Sequence, residues 1–299
     1  LYTMCFPFTF HLIGYITSRS CDVGWLTEFR DPWVTNPNHF DGDAGVLQRY
    51  LERRVIEECD QVVYNYGIQV PEDYFKDTYP DHANKVTRLD CPGSCGFDFE
   101  RLSDSPPKSN QFTIVYGGSF YGNGHSPKNF FDGLDSFLNL FDINESNINV
   151  DFYGDWKSSY DSIVTEFGIQ SAIQSHGWVD YDELLENLQQ AHVALFIVRP
   201  FPGDELNVPQ KIVDYVVTET PMLVLADSDW EVSRFTQRQK VGIVADPDDS
   251  KDISNNIAKL YDDYQKNNLS RYTASNELLL RFDAQTQTTE FAQILNDTT

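Results

Sequence analysis

At 299 residues, 40% of them apolar, the chain is long enough to bury two cores, and its formal charge of −24 argues against non-specific binding to nucleic acid or anionic membranes. Five cysteines, an odd number, do not make a secreted disulfide framework, and no apolar run approaches the ~18 residues that cross a bilayer. Asp outnumbers Glu roughly two to one and the acids are spread along the chain. That pattern suits a protein dissolved in multimolar salt, where screening removes self-repulsion; the alternative is an ordinary acidic cytosolic protein.

The opening, MCFPFTFHLIGYITSR, has no basic start and contains His11, so it predicts a loop and then a helix ending at Arg19 instead of a secretion signal. VGWLTEF is a short strand that ends in Arg30-Asp31-Pro32-Trp33. A charged pair at a strand's carboxyl end sits where open α/β sheets keep their ligands; a loop salt bridge fits the spacing equally. Gly45 to Cys59 predicts an amphipathic helix with Leu47, Tyr50, Leu51, Val55 and Ile56 inward. DQVVYNY is a strand, a helix follows near Pro71 to Lys76, and KVTRLDCPGSCGFDFERL is a strand running into a glycine-rich turn. Cys91 and Cys95 form the only close pair, and no second pair or nearby His completes a zinc set, so both read as buried thiols.

Ser103 to Gln111 is polar and proline-bearing and reads as a linker between domains. The alternation then restarts. FTIVYGG enters the loop GGSFYGNGHSPKNF, and Ser126-Pro127 start a helix through Phe141. Strand, glycine loop and helix together let backbone amides approach a diphosphate, with Lys128 adding charge. NVDFYG, AIQSHGWVD and HVALFIV supply strands, with the helix YDELLENLQQA before the last. NVPQKIVDYVVTETPMLVLAD reads as loop, helix, Thr-Pro break and buried strand. On that helix Lys211, Asp214 and Thr218 line up opposite the apolar Ile212, Val213, Val216 and Val217. The stripe fits a phosphate and sugar site; the bland alternative is a solvated Lys–Asp pair. VGIVADPDD is a last strand, and helices follow at Asp252 to Tyr264, Ala274 to Arg281 and Thr289 to Leu295. The fold class is α/β with two parallel-sheet domains.

The run YGGSFYGNGHSPKNF, VDFYGDW, SHGWVDYDELLENLQQAHVALF, PQKIVDYVVTETPMLVL and VGIVADPDD resembles the donor-binding half of a family-four retaining glycosyltransferase of the GT-B type, which has two Rossmann-like doubly wound domains. GWLTEFRDPW resembles the cleft-facing loop of that family's acceptor domain. The resemblance implies a partial acceptor-side domain at 1–102, a linker at 103–111, a donor domain at 112–282 and a C-terminal helix at 283–299 returning to the N-terminal domain. Only about a hundred residues precede the linker, so the N-terminal domain is expected to be incomplete, with an exposed sheet edge and apolar surface.

Carried over by position, Gly117, Gly118 and Lys128 match the loop that holds the donor diphosphate, with Ser119 and Phe120 where the family has an Arg. Gly177, Trp178 and Val179 match the turn that reads the base, Asp214 the carboxylate that binds the ribose hydroxyls, and Lys211 falls near the diphosphate. The family's first motif Glu has no counterpart in register; Glu205 or Asp204 stands beside its place. Arg30 and Asp31 match the loop that presents a catalytic His–Asp pair, with Arg in place of His. The resemblance further implies a UDP- or GDP-linked sugar donor, a glycan or lipid-linked acceptor, retention, and no cofactor or metal. It also implies work in the cytoplasm at the inner face of the membrane, with peripheral membrane contact through lipid-linked substrates. Nucleotide-sugar epimerases share the architecture, and a non-catalytic nucleotide-sugar binder is the third alternative.

Overall fold

The computed structural model describes residues 1–36, 45–92, 96–103, 106–121, 124–198 and 200–298. Cys95, Gly122, Asn123 and residues 104–105 of the expected linker lie outside that set. The chain divides into two compact units, one made of Leu1–Asp98, Pro202–Gln210 and Leu280–Thr299, the other of Phe99–Phe201 and Lys211–Leu279.

The first unit runs β1 (Tyr2–Met4), α1 (Thr9–Cys21), β2 (Leu26–Phe29), α2 (Val46–Glu58), β3 (Gln61–Tyr66), α3 (Tyr74–Thr78) and β4 (Val86–Pro92). Its four parallel strands lie in chain order. Successive strand residues point to opposite faces, which sorts the packing. Phe29, Val62 and Tyr64 turn toward the helices between the strands, whereas Leu26, Val63 and Leu89 turn toward Phe291, Ile294 and Leu295 of the C-terminal helix. β1 was absent from the sequence reading because three residues are too few to show alternation. It is an edge strand, and Tyr2, Phe6, Phe10, Ile13 and Ile16 in and beside it are exposed. Leu47 and Tyr50, expected inward, are 63% and 58% exposed. The apolar stripe of α2 reaches the core only from Leu51 on, and buried Glu52 takes a place the sequence reading gave to no residue.

The second unit runs β5 (Phe112–Gly117), α4 (Lys128–Leu140), β6 (Ile148–Tyr153), α5 (Ser158–Phe167), β7 (Ile173–Gly177), α6 (Tyr181–Gln190), β8 (Val193–Ile197), α7 (Gln210–Val217), β9 (Met222–Leu225), α8 (Glu231–Gln239), β10 (Gly242–Ala245), α9 (Ser250–Gln265) and α10 (Asn276–Phe282). α10 crosses the boundary between the units, and α11 (Ala284–Asn296) completes the first. The six parallel strands take the order β10-β9-β8-β5-β6-β7. β8 and β9 are buried along their whole length, as strands covered on both faces must be. Phe130, Phe131 and Phe137 of α4 are almost wholly buried against the sheet, each contributing about 1.5–3 kcal/mol. α8 escaped the sequence reading because its inward anchors are only Val232 and Phe235, too few for a visible period.

Strand order reverses at β5, which pairs with β6 on one side and β8 on the other. The crevice outside the carboxyl ends of two strands at such a reversal is where open α/β sheets bind ligands. Gly117 ends β5, so the glycine loop opens at that point.

Candidate nucleotide-sugar site

Hydrogen bonds from several elements fix the loop at the reversal. Gly118 N–H donates to Tyr153 O at 2.8 Å, and Gly117 N–H reaches the Tyr215 hydroxyl at 3.3 Å. Tyr215, fully buried, donates its own hydroxyl hydrogen bond to Leu195 O at 3.1 Å, so one phenol ties α7 to the end of β5 and the middle of β8. The His125 Nε2–H donates to Ile197 O at 3.1 Å while its Nδ1 accepts from Tyr121 N. Phe120 stacks on Tyr116 at 4.6 Å and meets Tyr160 edge-on, which drives this part of the loop into the core. Phe120 therefore cannot stand in for a phosphate-binding Arg. It is an anchor.

With Tyr215 pinned, Lys211 and Asp214 fall on the side of α7 that faces the glycine turn. Gly118 has φ +136°, and a Cβ there would lie 2.5 Å from Lys211 Nζ. The ammonium sits 5.0 Å from the Tyr116 ring centre and 5.9 Å from Phe196, a setting in which aromatic faces favour a cation. Asp214 is 8% exposed, and the Tyr181 hydroxyl donates to its Oδ1 at 2.7 Å. Burial pushes this carboxyl above its ordinary range, against the pull of Tyr181 and of the Lys211 charge. Burial, and then the Asp214 charge, pushes the Tyr181 phenol up in turn. A solvated Lys–Asp pair is thus not what the helix presents: Asp214 and Thr218 are both buried.

Beside them, Ser119, Asp155 and Trp178 join the ends of β5, β6 and β7. Ser119 Oγ donates to Asp155 Oδ2 at 3.2 Å, and Trp178 Nε1 donates to Asp155 Oδ1 at 2.7 Å. The indole is 73% exposed, an aromatic face held by its edge. Gly177 sits at φ +70° and accepts from Gly154 N at 2.7 Å, and Val179 is half-buried in the turn before α6. Lys128 stands exposed at the first position of α4. The structure therefore brings Gly117, Gly118, Lys211 and Asp214 together, and Ser119, Gly177 and Trp178 around Asp155, while Lys128 has no described contact with either set.

Gly154 matters to this loop for a steric reason. Its φ is +119°, and a Cβ on it would meet Gly118 O at 2.3 Å. Gly154→Ala should therefore displace the glycine turn and destabilise the fold by about 1–3 kcal/mol. Paired thermal melts and nucleotide titrations check this, and an Ala variant that melts and binds like wild type would remove the steric argument.

The other predicted residues belong to the first unit. Arg30 and Asp31 follow β2 in a turn held at several points. Cys5 Sγ accepts from Arg30 N at 3.3 Å and donates to Asp31 O at 3.4 Å. Burial pushes that thiol up to about 11, so it is inert as a nucleophile. Trp33 stacks on Phe8 at 5.0 Å, and Val34 N–H donates to Glu52 Oε2 at 3.0 Å. The Arg30 guanidinium turns back on Glu28 at 3.1 Å. Glu205 is exposed and accepts from Gly203 N at 2.7 Å, closing its own turn. Asp204 is buried and accepts from Gln69 Nε2 at 2.6 Å. Tyr181, Tyr215, Asp155, His125 and Glu52 were missing from the sequence reading. Their partners lie between 4 and 98 residues away and leave no periodic trace.

No family model matches the sequence, and no curated protein does. Solved structures do. A UDP-forming alpha,alpha-trehalose-phosphate synthase of Burkholderia xenovorans aligns over all of this chain and 74% of its own, at 10% identity and a TM-score of 0.68. A sucrose-phosphate synthase of Thermosynechococcus elongatus aligns over 99% of this chain and 72% of its own, at 13% identity and 0.60. A Listeria monocytogenes protein assigned as a UDP-N-acetylglucosamine 2-epimerase covers 98% and 73%, at 8% and 0.60. The chain has the α/β fold of the GT-B glycosyltransferases. Among the described residues no helix is long and apolar enough to cross a membrane.

Proposed function

We propose that this chain is a retaining, metal-independent glycosyltransferase of the family-four kind. It moves a sugar from a UDP- or GDP-linked donor to a glycan or lipid-linked acceptor. The observation that carries this reading is Lys211 Nζ lying over Gly118, with buried Asp214 one turn further on, where the strand order reverses. Reaction breaks the bond between the anomeric carbon and the diphosphate oxygen and forms one to the acceptor oxygen. Negative charge builds on the departing diphosphate, and Lys211 with the loop amides supplies fixed positive charge there. Asp214 takes the ribose hydroxyls and Trp178 lies where the base is read. Asp31 receives the acceptor proton, and Arg30 and Glu205 complete the first unit's contribution. The setting is the cytosolic side of the membrane in a salt-rich cell, where the acidic surface keeps the protein dissolved.

The test is product analysis with UDP- and GDP-sugars and candidate acceptors. Asp31→Asn should bind nucleotide as wild type does and turn over roughly 10²–10⁴-fold more slowly. Undiminished turnover by that variant removes Asp31 from the mechanism. A second reading, a nucleotide-sugar epimerase, draws on the likeness to the Listeria protein. An isomerised donor formed with no acceptor present would select it.

A further inference from the structure

Tyr181 is the first residue of α6 and directly follows the turn from Gly177 to Asp180. Its hydroxyl reaches a residue 33 positions away, donating to Asp214 Oδ1 at 2.7 Å. The two partners differ in exposure: the tyrosine is 41% exposed and Asp214 only 8%. A ring this open gains little from burial, so core packing does not account for where its hydroxyl goes. The ring is also held from its face. The Arg101 guanidinium lies 5.6 Å from the ring centre and pairs with Asp182, the next residue of α6, at 2.8 Å.

The Tyr181 bond acts on the one freedom left to Asp214. The backbone there is fixed: Thr218 Oγ1 donates to Asp214 O at 2.8 Å, and the neighbouring Tyr215 anchors α7 to Gly117 and Leu195. The carboxylate can still turn about its last torsion, which is soft for Asp. A donor fixed on Oδ1 stops that rotation and leaves Oδ2, with the second lone pair of Oδ1, to meet a ligand. The same bond favours the ionised carboxylate, as does the Lys211 charge, while burial favours the protonated acid. The titratable and charged groups that face Asp214 are Lys211 and Tyr215 on its own helix and Tyr181 on α6, with Arg101 and Asp182 around the phenol. Among the described residues Tyr181 alone donates a side-chain hydrogen bond to the carboxylate.

We propose that Tyr181 is a positioning residue for ribose recognition: it aims the Asp214 carboxylate at the 2′ and 3′ hydroxyls of the nucleotide. This rests on the nucleotide-sugar reading above. Because Tyr181 follows directly on the Gly177 to Asp180 turn, the segment that reads the base also sets the group that reads the sugar.

Calorimetric titration of the full chain in concentrated KCl with UDP, GDP and their 2′-deoxy forms, repeated across pH, tests this. Wild type should prefer the ribonucleotide over its 2′-deoxy form by roughly three- to tenfold, since one hydrogen bond is at stake. Tyr181→Phe keeps the ring under Arg101 and removes only the hydroxyl. It should weaken ribonucleotide binding roughly threefold or more and cut the preference for the ribo form at least twofold. It should also move the pH at which affinity rises upward, because ionised Asp214 has lost a donor. A phenol that serves the fold alone would cost both nucleotides equally and leave that pH in place. Either an unchanged preference or an unchanged pH profile in Tyr181→Phe overturns the positioning role and leaves Asp214 as the ribose group. A folded wild type that binds no nucleotide, or binds ribo and deoxy forms alike, overturns the ribose reading of Asp214 and this proposal with it. If Tyr181→Phe does not fold, Arg101→Ala, a change at an exposed side chain, releases the ring instead. A smaller ribo preference then supports the positioning role, and an unchanged one overturns it.

Discussion

Asp214→Ala is expected to weaken binding of UDP or GDP by roughly ten- to a hundred-fold, because hydrogen bonds to a charged group are worth about 1.5–3 kcal/mol. The carboxylate is buried, so its oxygens are not competing for bulk water, and its one described side-chain donor is the Tyr181 hydroxyl. A ribose diol brings two more donors. The same burial gives the binding a pH dependence whose sign can be worked out. Burial raises the Asp214 pKa in the free protein, so near the ordinary Asp value part of the population is protonated. Only the ionised form accepts both hydroxyls. Affinity should therefore rise as pH climbs from the ordinary Asp range through the raised value, and the Ala variant should show no such rise. Over the same window ionised Asp214 lowers the stability of the free fold, since the folded state holds the proton more tightly than the unfolded one. Calorimetric titration of wild type, Asp214→Ala and Asp214→Asn across that range is the measurement. Equal affinity in all three would falsify the ribose role.

Glu52→Ala should be the most damaging single change in the first unit. Its carboxylate is almost wholly buried and accepts from Val34 N at 3.0 Å, Tyr74 Oη at 3.1 Å and Tyr79 Oη at 2.7 Å. Removing it strands three donors and leaves a void, which should lower stability by roughly 2–4 kcal/mol. It also frees Val34, three residues after Asp31, so the turn that presents Arg30 and Asp31 loses an anchor. Burial pushes the Glu52 carboxyl above its ordinary range despite these three bonds. The folded state therefore binds its proton more tightly than the unfolded chain, and stability falls as pH rises from the ordinary Glu value through the raised one. Glu52→Gln keeps a carbonyl acceptor and carries no charge. It should be milder than Ala and should flatten that slope. Urea melts of the three proteins at several pH values decide the matter; an Ala variant as stable as wild type would mean that the donors find other partners.

The alternation of strand and helix was legible because parallel strands buried on both faces appear as unbroken apolar runs, and MLVL and VALFI are such runs. Helices with a full apolar face were legible too, α4 and α7 among them. Where the signal was thin, the reading failed for that reason. β1 has three residues, α8 has two large inward apolar residues, and the first turn of α2 shows a stripe that the core does not reach. Of the expected site, the residues near one another in sequence were the easier part. Gly117 and Gly118 announce a close backbone approach, and Lys211 and Asp214 announce a shared face.

Composition, period and glycine placement are local quantities, and they determined the fold class, the strand-to-loop switch at Gly117 and the candidate anion site on α7. The tertiary structure alone decided the environment of each group. Asp214 is a solvated carboxylate or a buried one depending on whether Tyr181, 33 residues away, closes over it. Lys211 is a surface charge or a fixed one depending on whether Tyr215 ties its helix to Gly117 across 98 residues. Asn65 is an ordinary strand residue until the sheet and α11 close around it and leave its oxygen without a donor. Desolvation depends on every atom within a few ångströms, whatever its distance along the chain.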